Sequence, residues 1–145
     1  MLEINKTASE IHVENTAKGF WKERIEVPQK MRDSGLFTET EIAFAEHNIK
    51  SQVLLHIVCE IGEAEEAMRK DKYANLLAFG EAYAKSGDVV APFETFIKDT
   101  YEDELADAVI RLFDLIAAEG IEIEQHIILK RLYNQTRPYK HGKNS

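Results

Sequence analysis

Apolar residues return at intervals of three and four along most of this chain, the period of helices that bury one side. A first helix is predicted from about Ala8 into the segment GFWKER, with Ile11, Ala17 and Phe20 on one apolar stripe. The stretch from Val27 to Phe37 holds Pro28 and Gly35 and reads as a connector. Thr38, with Glu41 three residues on, has the form of a capping box, and a long helix is predicted from there to about Lys70. Residues 72–85 support a shorter helix that SGDVVAP interrupts. Thr100 is placed to cap a strong helix that runs to Ala118 and ends before Gly120. A last helix spans about Glu122 to Gln135 and must stop by Pro138. Helix follows helix through short links, which predicts an all-α bundle of four to five helices in one domain, residues 1–145.

The two strongest helices carry acids where apolar residues would be expected. His56, Glu60 and Glu63 lie at i, i+4 and i+7 on one narrow stripe. Leu54, Ile57, Ile61, Ala64 and Met68 flank it on one side, and Leu55, Val58, Cys59 and Gly62 on the other. Glu104, Asp107, Arg111 and Asp114 repeat the arrangement, between Leu105, Val109, Leu112 and Ile116 on one side and Ala106, Ile110 and Phe113 on the other. A solvated helix face is broad and mixed in charge; these stripes are narrow and bordered by apolar residues. If both helices pack through those borders, their acids converge. Carboxylates 4 Å apart repel by about 1 kcal/mol in water and by several-fold more when partly buried. A cluster of this kind takes up protons or binds a cation. An all-oxygen ligand set favours Mg²⁺, with Mn²⁺ as a substitute. Single acid pairs at this spacing are also common on ordinary surfaces, and Glu65, Glu66, Glu102 and Asp103, off the stripes, read that way. Two bordered stripes together favour a shared metal site of Glu60, Glu63, Glu104 and Asp107.

Composition narrows the field. With 145 residues, 44% hydrophobic and 30% charged, and only 7 Gly and 3 Pro, the chain is globular and too poor in turn formers for an all-β fold. A formal net charge of -8 repels nucleic acid polymers and anionic membranes. One cysteine, Cys59, makes no internal disulfide, the N-terminal MLEINKTASE has no apolar core for a signal peptide, and no apolar run is long enough to cross a bilayer. The expected location is therefore cytoplasmic. None of the five histidines has Glu three residues before it, which argues against a di-iron carboxylate bundle.

The last 16 residues, KRLYNQTRPYKHGKNS, run against the overall charge: they hold Lys130, Arg131, Arg137, Lys140 and Lys143 and no acid. Helix-end electrostatics accounts for Lys130 and Arg131 only. Two readings stay open for the remainder, a solubilising tail and a clamp for phosphate, for which Lys and Arg are natural partners.

The stretches EIGEAEEAMRK, EDELADAVIRLFDLIAAEGI and KRLYNQTRPYKHGK, with AKGFWKER near the start, together resemble the MazG-like all-α nucleotide pyrophosphohydrolases. That superfamily includes dimeric dUTPases, dCTP pyrophosphatases and phosphoribosyl-ATP pyrophosphohydrolases. The resemblance implies Mg²⁺ on Glu60, Glu63, Glu104 and Asp107, and phosphate contacts from Lys130, Asn134 and Arg137, with Lys140 a weaker correspondence. It also implies a bundle completed by oligomerisation, as a homodimer or homotetramer. The 41 positions from Glu63 to Glu104 exceed what compact members lead one to expect, so residues 72–99 form a lid, a dimer contact or a loop.

Site and resemblance together imply Mg²⁺-dependent hydrolysis of a nucleoside triphosphate, NTP or dNTP, to the monophosphate and pyrophosphate, in a house-cleaning role for the nucleotide pool. Glu63 or Glu60 would accept a proton from the attacking water. Phe20 and Trp21 are candidates for stacking on the base, Trp21 with core packing as its other reading. His56 is either a polar group of that pocket, a partner of the metal ligands or a core histidine. Two alternatives are a non-catalytic helical interaction or regulatory protein, and a pyrophosphohydrolase acting on a phosphoribosyl-nucleotide.

Overall fold

The computed structural model describes residues 3–138, and within them every regular element is a helix. They are α1 (Ile4–Ala17), α2 (Lys22–Ser34), α3 (Glu39–Arg69), α4 (Leu76–Ser86), α5 (Val90–Phe96), α6 (Tyr101–Ala118) and α7 (Ile123–Gln135). The all-α expectation holds, with seven helices among the described residues where four to five were expected.

The best-capped helices lie where their caps predict. Thr38 accepts from the Glu41 N–H while the Glu41 side chain takes the Thr38 N–H, the reciprocal pair that starts α3. Thr100 caps α6 through the Asp103 N–H. Differences from expectation cluster near glycine and proline. Gly19, at φ +88°, breaks what the apolar pattern joined as one helix through GFWKER. Lys22–Arg24 from the expected first helix and the expected connector from Val27 to Ser34 instead fall in α2, closed by Gly35 in the left-handed conformation at φ 64°. Pro28 sits inside α2, where it removes a donor from the helix ladder. Its ring is buried and α2 packs on α3, so tertiary burial outweighs the local penalty.

The frame is α6 packed along α3 on one side and α1 on another, with α2 against α3 and α7 lightly against α1. On α3 the buried stripe is Val53, Glu60, Ala64 and Ala67; on α6 it is Glu104, Ala108 and Leu115. Alanines let the helices approach, and the two glutamates fill the space between them. The apolar borders of the acidic stripes were expected to carry this contact. Ala64 and Ile116 among them are buried, but Leu54, Leu55, Val58 and Ile61 on α3, and Val109, Ile110 and Leu112 on α6, remain exposed.

Trp21, Val53 and Leu115 form the core cluster, with Ile57 and Ala118 against it. Beside them, buried Asp114 joins three elements. His12 Nδ1 lies 2.6 Å from one of its oxygens, Trp21 Nε1 donates to the same oxygen at 2.8 Å, and Asn15 Nδ2 donates to the other at 2.7 Å. A carboxylate only accepts, so His12 carries its proton on Nδ1 here. Three donors compensate a charge that burial alone would make costly. The segment between α3 and α6 is closed at its base by Asn75 N–H to Phe96 O, Tyr101 N–H to Lys72 O and Ala74 N–H to Glu102. It is a helical hairpin, α4 against α5, seated beside the start of α6.

Asp114→Ala would leave the buried indole N–H and its neighbours unpaired. The expected loss is roughly 3 kcal/mol of stability, with Asp114→Asn milder because it keeps an acceptor. Urea unfolding of the two variants measures the difference; equal stabilities would remove Asp114 from this role.

Candidate metal centre

Helix α3 presents Glu60 and Glu63 and helix α6 presents Glu104, so that one carboxylate oxygen from each lies within 4.8 Å of the other two. Glu60 and Glu104 are buried, at 6% and 8% exposure, while Glu63 is exposed. Asp107 stands outside this tight group. It is exposed and lines the same cleft from one turn further along α6. Three of the four expected carboxylates are thus brought together, with the fourth at the rim.

Electrostatics shows the strain of this arrangement. Burial, then repulsion from Glu63 and Glu60, pushes the Glu104 carboxyl up to about 7. Burial also raises Asp103, against the backbone N–H of Asp99 that it accepts. Arg111 supplies one compensating charge, its Nε 2.7 Å from Glu60 Oε1. The donor set is all oxygen, converging and short of positive charge, and it fits a hard divalent ion such as Mg²⁺ or Mn²⁺.

The cleft also contains residues that spacing did not single out. Phe93, Lys98 and Asp99 come from α5 and the turn before α6, and Asp103, read from spacing as solvated, lines it too. Asp99 holds φ 57°, a left-handed conformation that Asp tolerates better than most residues. Nothing in the periodicity marks a turn of this kind. Glu65 and Glu66 pair with Arg69 and Lys70 along the surface of α3, and exposed Glu102 accepts the Ala74 N–H, as ordinary surface acids do.

A second cleft, about 210 Å³, adjoins the first. Phe20, His56, Asn15, Arg24, Val53 and Ile110 line it, and Asp107 and Arg111 line both clefts. Phe20 and His56, two of the candidates for holding a base, therefore stand together beside the carboxylates. Trp21 does not join them. Its ring is buried in the core with Arg24 over one face, its Nε1 is committed to Asp114, and it lines a different cleft with His12 and Arg24.

The cations of α7 are not gathered at the carboxylates. The clefts that hold the acids are lined by α1 to α3, α5, α6 and the adjoining turns, whereas Lys130 lies beside His126 and Ile127 on α7 itself. Arg137 and Lys130 both approach the Tyr133 ring. The Asn134 side-chain oxygen is buried without a hydrogen-bond partner among the described residues. Lys140 lies outside the described residues. No helix among the described residues is long and apolar enough to cross a membrane.

Set against family models, curated proteins and solved structures, the chain matches none.

The raised Glu104 carboxyl has a testable consequence. Between its ordinary value of 4.5 and about 7 the ion-free native state holds more protons than the unfolded chain. Stability is then greatest at the acidic end of that window and falls as pH rises through it, by on the order of 1–3 kcal/mol. Mg²⁺ or Mn²⁺ should restore it near neutrality, and NaCl of equal ionic strength should not. Glu104→Gln should flatten the profile and shrink the divalent effect. Melting temperatures across pH 4.5 to 7.5 supply the check; a wild type indifferent to divalent ions would leave the acids as a mere surface feature.

Proposed function

We propose that the chain is a Mg²⁺-dependent pyrophosphohydrolase of the MazG-like kind, converting a nucleoside triphosphate to its monophosphate and pyrophosphate. The observation that carries this reading is the convergence of Glu60, Glu63 and Glu104 from two helices onto one cation-sized space. Glu60, Glu63 and Glu104 would hold the ion, with Asp107 completing the set from the rim. When bound, the ion supplies charge neutralisation for the triphosphate and polarises its phosphorus toward attack.

The chain's own residues account for the remaining steps. Glu60 is buried and paired with Arg111, while Glu63 is exposed and so better able to take a proton from water attacking the α-phosphate. The adjoining cleft, at about 210 Å³, is smaller than the roughly 300–1,000 Å³ sites that take a whole drug-sized ligand. It suits one ring system, with Phe20 as an apolar wall and Asn15 and His56 as polar groups. A base seated there directs its phosphates past Asp107 and Arg111 into the carboxylate cleft. Lys98 and Arg111 offer phosphate contacts within the same chain, and Lys130, Asn134, Arg137 and Lys140 would act from a second copy.

A homo-oligomer belongs to the same reading. The accessible surface is 10836 Å², against roughly 7,600 Å² for a compact monomer of 16.6 kDa. Exposed apolar side chains flank the acids on both helices, among them Leu55, Val58 and Ile61 on α3 and Val109 and Ile110 on α6. A second copy covering those faces, in a dimer or tetramer, would bury them and narrow the cleft.

The decisive experiment is pyrophosphate release from a panel of NTPs and dNTPs, with and without Mg²⁺. Turnover should require the ion, and Glu63→Gln or Asp107→Asn should reduce it at least ~100-fold while helicity is retained. Full activity of either variant in excess EDTA would end the metal reading. Absence of any turnover, with tight binding of a basic protein partner instead, would favour the regulatory alternative.

A further inference from the structure

Within the acidic cleft, Arg111 is in a singular position. Its Nε contacts Glu60 Oε1 at 2.7 Å, and Glu60 is one of the three carboxylates whose oxygens converge. The Glu60 side chain is 9% exposed and that of Arg111 is 45% exposed, so the acid is fixed in the packing while the guanidinium reaches it from the open side. Arg111 also lines the second cleft, the one walled by Phe20 and His56. One side chain thus borders both the space for a cation and the space for a ring.

Resting on the pyrophosphohydrolase reading, we infer that Arg111 takes the place of the divalent ion on Glu60 in the ion-free protein and, once displaced by the ion, turns to grip the phosphates of the nucleotide. A buried carboxylate needs a positive partner, and Arg111 is the cation in ion-pair contact with the converging acids among the described residues. A divalent ion bound to the same oxygens makes that partner redundant and repels it. Lysine could respond by losing a proton; arginine stays charged and must move instead. Its exposed stem and its place on the wall between the clefts give it somewhere to go. The planar fork of donors matches two phosphate oxygens at once, which an ammonium does not.

The test uses the full chain, Mn²⁺ as the ion and inorganic tripolyphosphate as a base-independent phosphate probe. Free Mn²⁺ is counted by electron paramagnetic resonance during titration, and melting is followed without ion. Arg111→Met should bind Mn²⁺ several-fold more tightly than wild type, because the competing cation is gone. The same variant should melt lower without ion and bind tripolyphosphate at least ~10-fold more weakly at saturating Mn²⁺. Arg111→Lys keeps the charge and loses the fork, so Mn²⁺ affinity should stay near wild type while the ~10-fold loss for tripolyphosphate persists. The Lys variant carries the test if the Met variant does not fold. Unchanged or weaker Mn²⁺ binding by Arg111→Met, or full tripolyphosphate affinity in either variant, overturns the inference. A wild type that takes up no Mn²⁺ overturns the metal reading itself, which separates the two failures.

Discussion

Two glutamates buried in the seam between α3 and α6 are the constraint around which this molecule is organised. Glu60 and Glu104 occupy positions on the packed stripe that helical period assigns to apolar residues. Alanines 64, 67 and 108 beside them bring the backbones close enough for the acids to meet. The resulting charge has only partial compensation inside the chain, from Arg111 on Glu60, and the crowding raises the Glu104 carboxyl. A fold selected for stability alone would place leucine at both sites. Keeping carboxylates there makes the seam weaker without a cation, so a cation held there would be coupled to the fold.

The rest of the framework offsets that cost at a distance. Asp114, on the same helix as Glu104, is a third buried acid, and its environment is the opposite one. Three donors converge on it from His12, Asn15 and Trp21, and they draw α1 and the start of α2 onto α6. One helix therefore carries a fully paired carboxylate towards its C-terminal end and, towards its N-terminal end, one crowded by like charges. The satisfied end anchors the fold, and the other is free to respond to a ligand.

How much of this was legible in the sequence follows from the range of the interactions involved. The helices with strong local signals, α3 and α6 with their Thr caps, were readable to within a residue or so, because capping is chemistry between neighbours. The acid stripes were readable for the same reason: periodicity alone puts Glu60 with Glu63 and Glu104 with Asp107. What failed depended on tertiary contact. Pro28 looks like a breaker until its burial is known, so the part of α2 from Val27 on reads as a connector in the sequence. Asp114 shares spacing with the acids of the candidate metal centre, and only its partners from α1 and from Trp21 ahead of α2 distinguish it. The turn at Asp99, which brings Phe93 and Lys98 to the cleft, depends on a backbone conformation with no periodic signature.

The apolar borders of the stripes carry the last step. Sequence pattern assigns them to the α3–α6 contact, yet apart from Ala64, Ile57 and Ile116 most of them stand open on both helices. Such a surface around an acidic cleft is costly in water and remains useful only if something covers it. Covering it with apolar side chains would exclude water from the cleft and lower the local dielectric. Each carboxylate–cation contact would then strengthen, and so would the burial and repulsion that raise the Glu104 carboxyl without an ion. Assembly and ion binding would reinforce one another: burial of the borders raises the demand for a cation, and the cation lowers the electrostatic cost of that burial. On this argument the exposed leucines and valines flanking the acids are part of the site's electrostatics as well as of its packing.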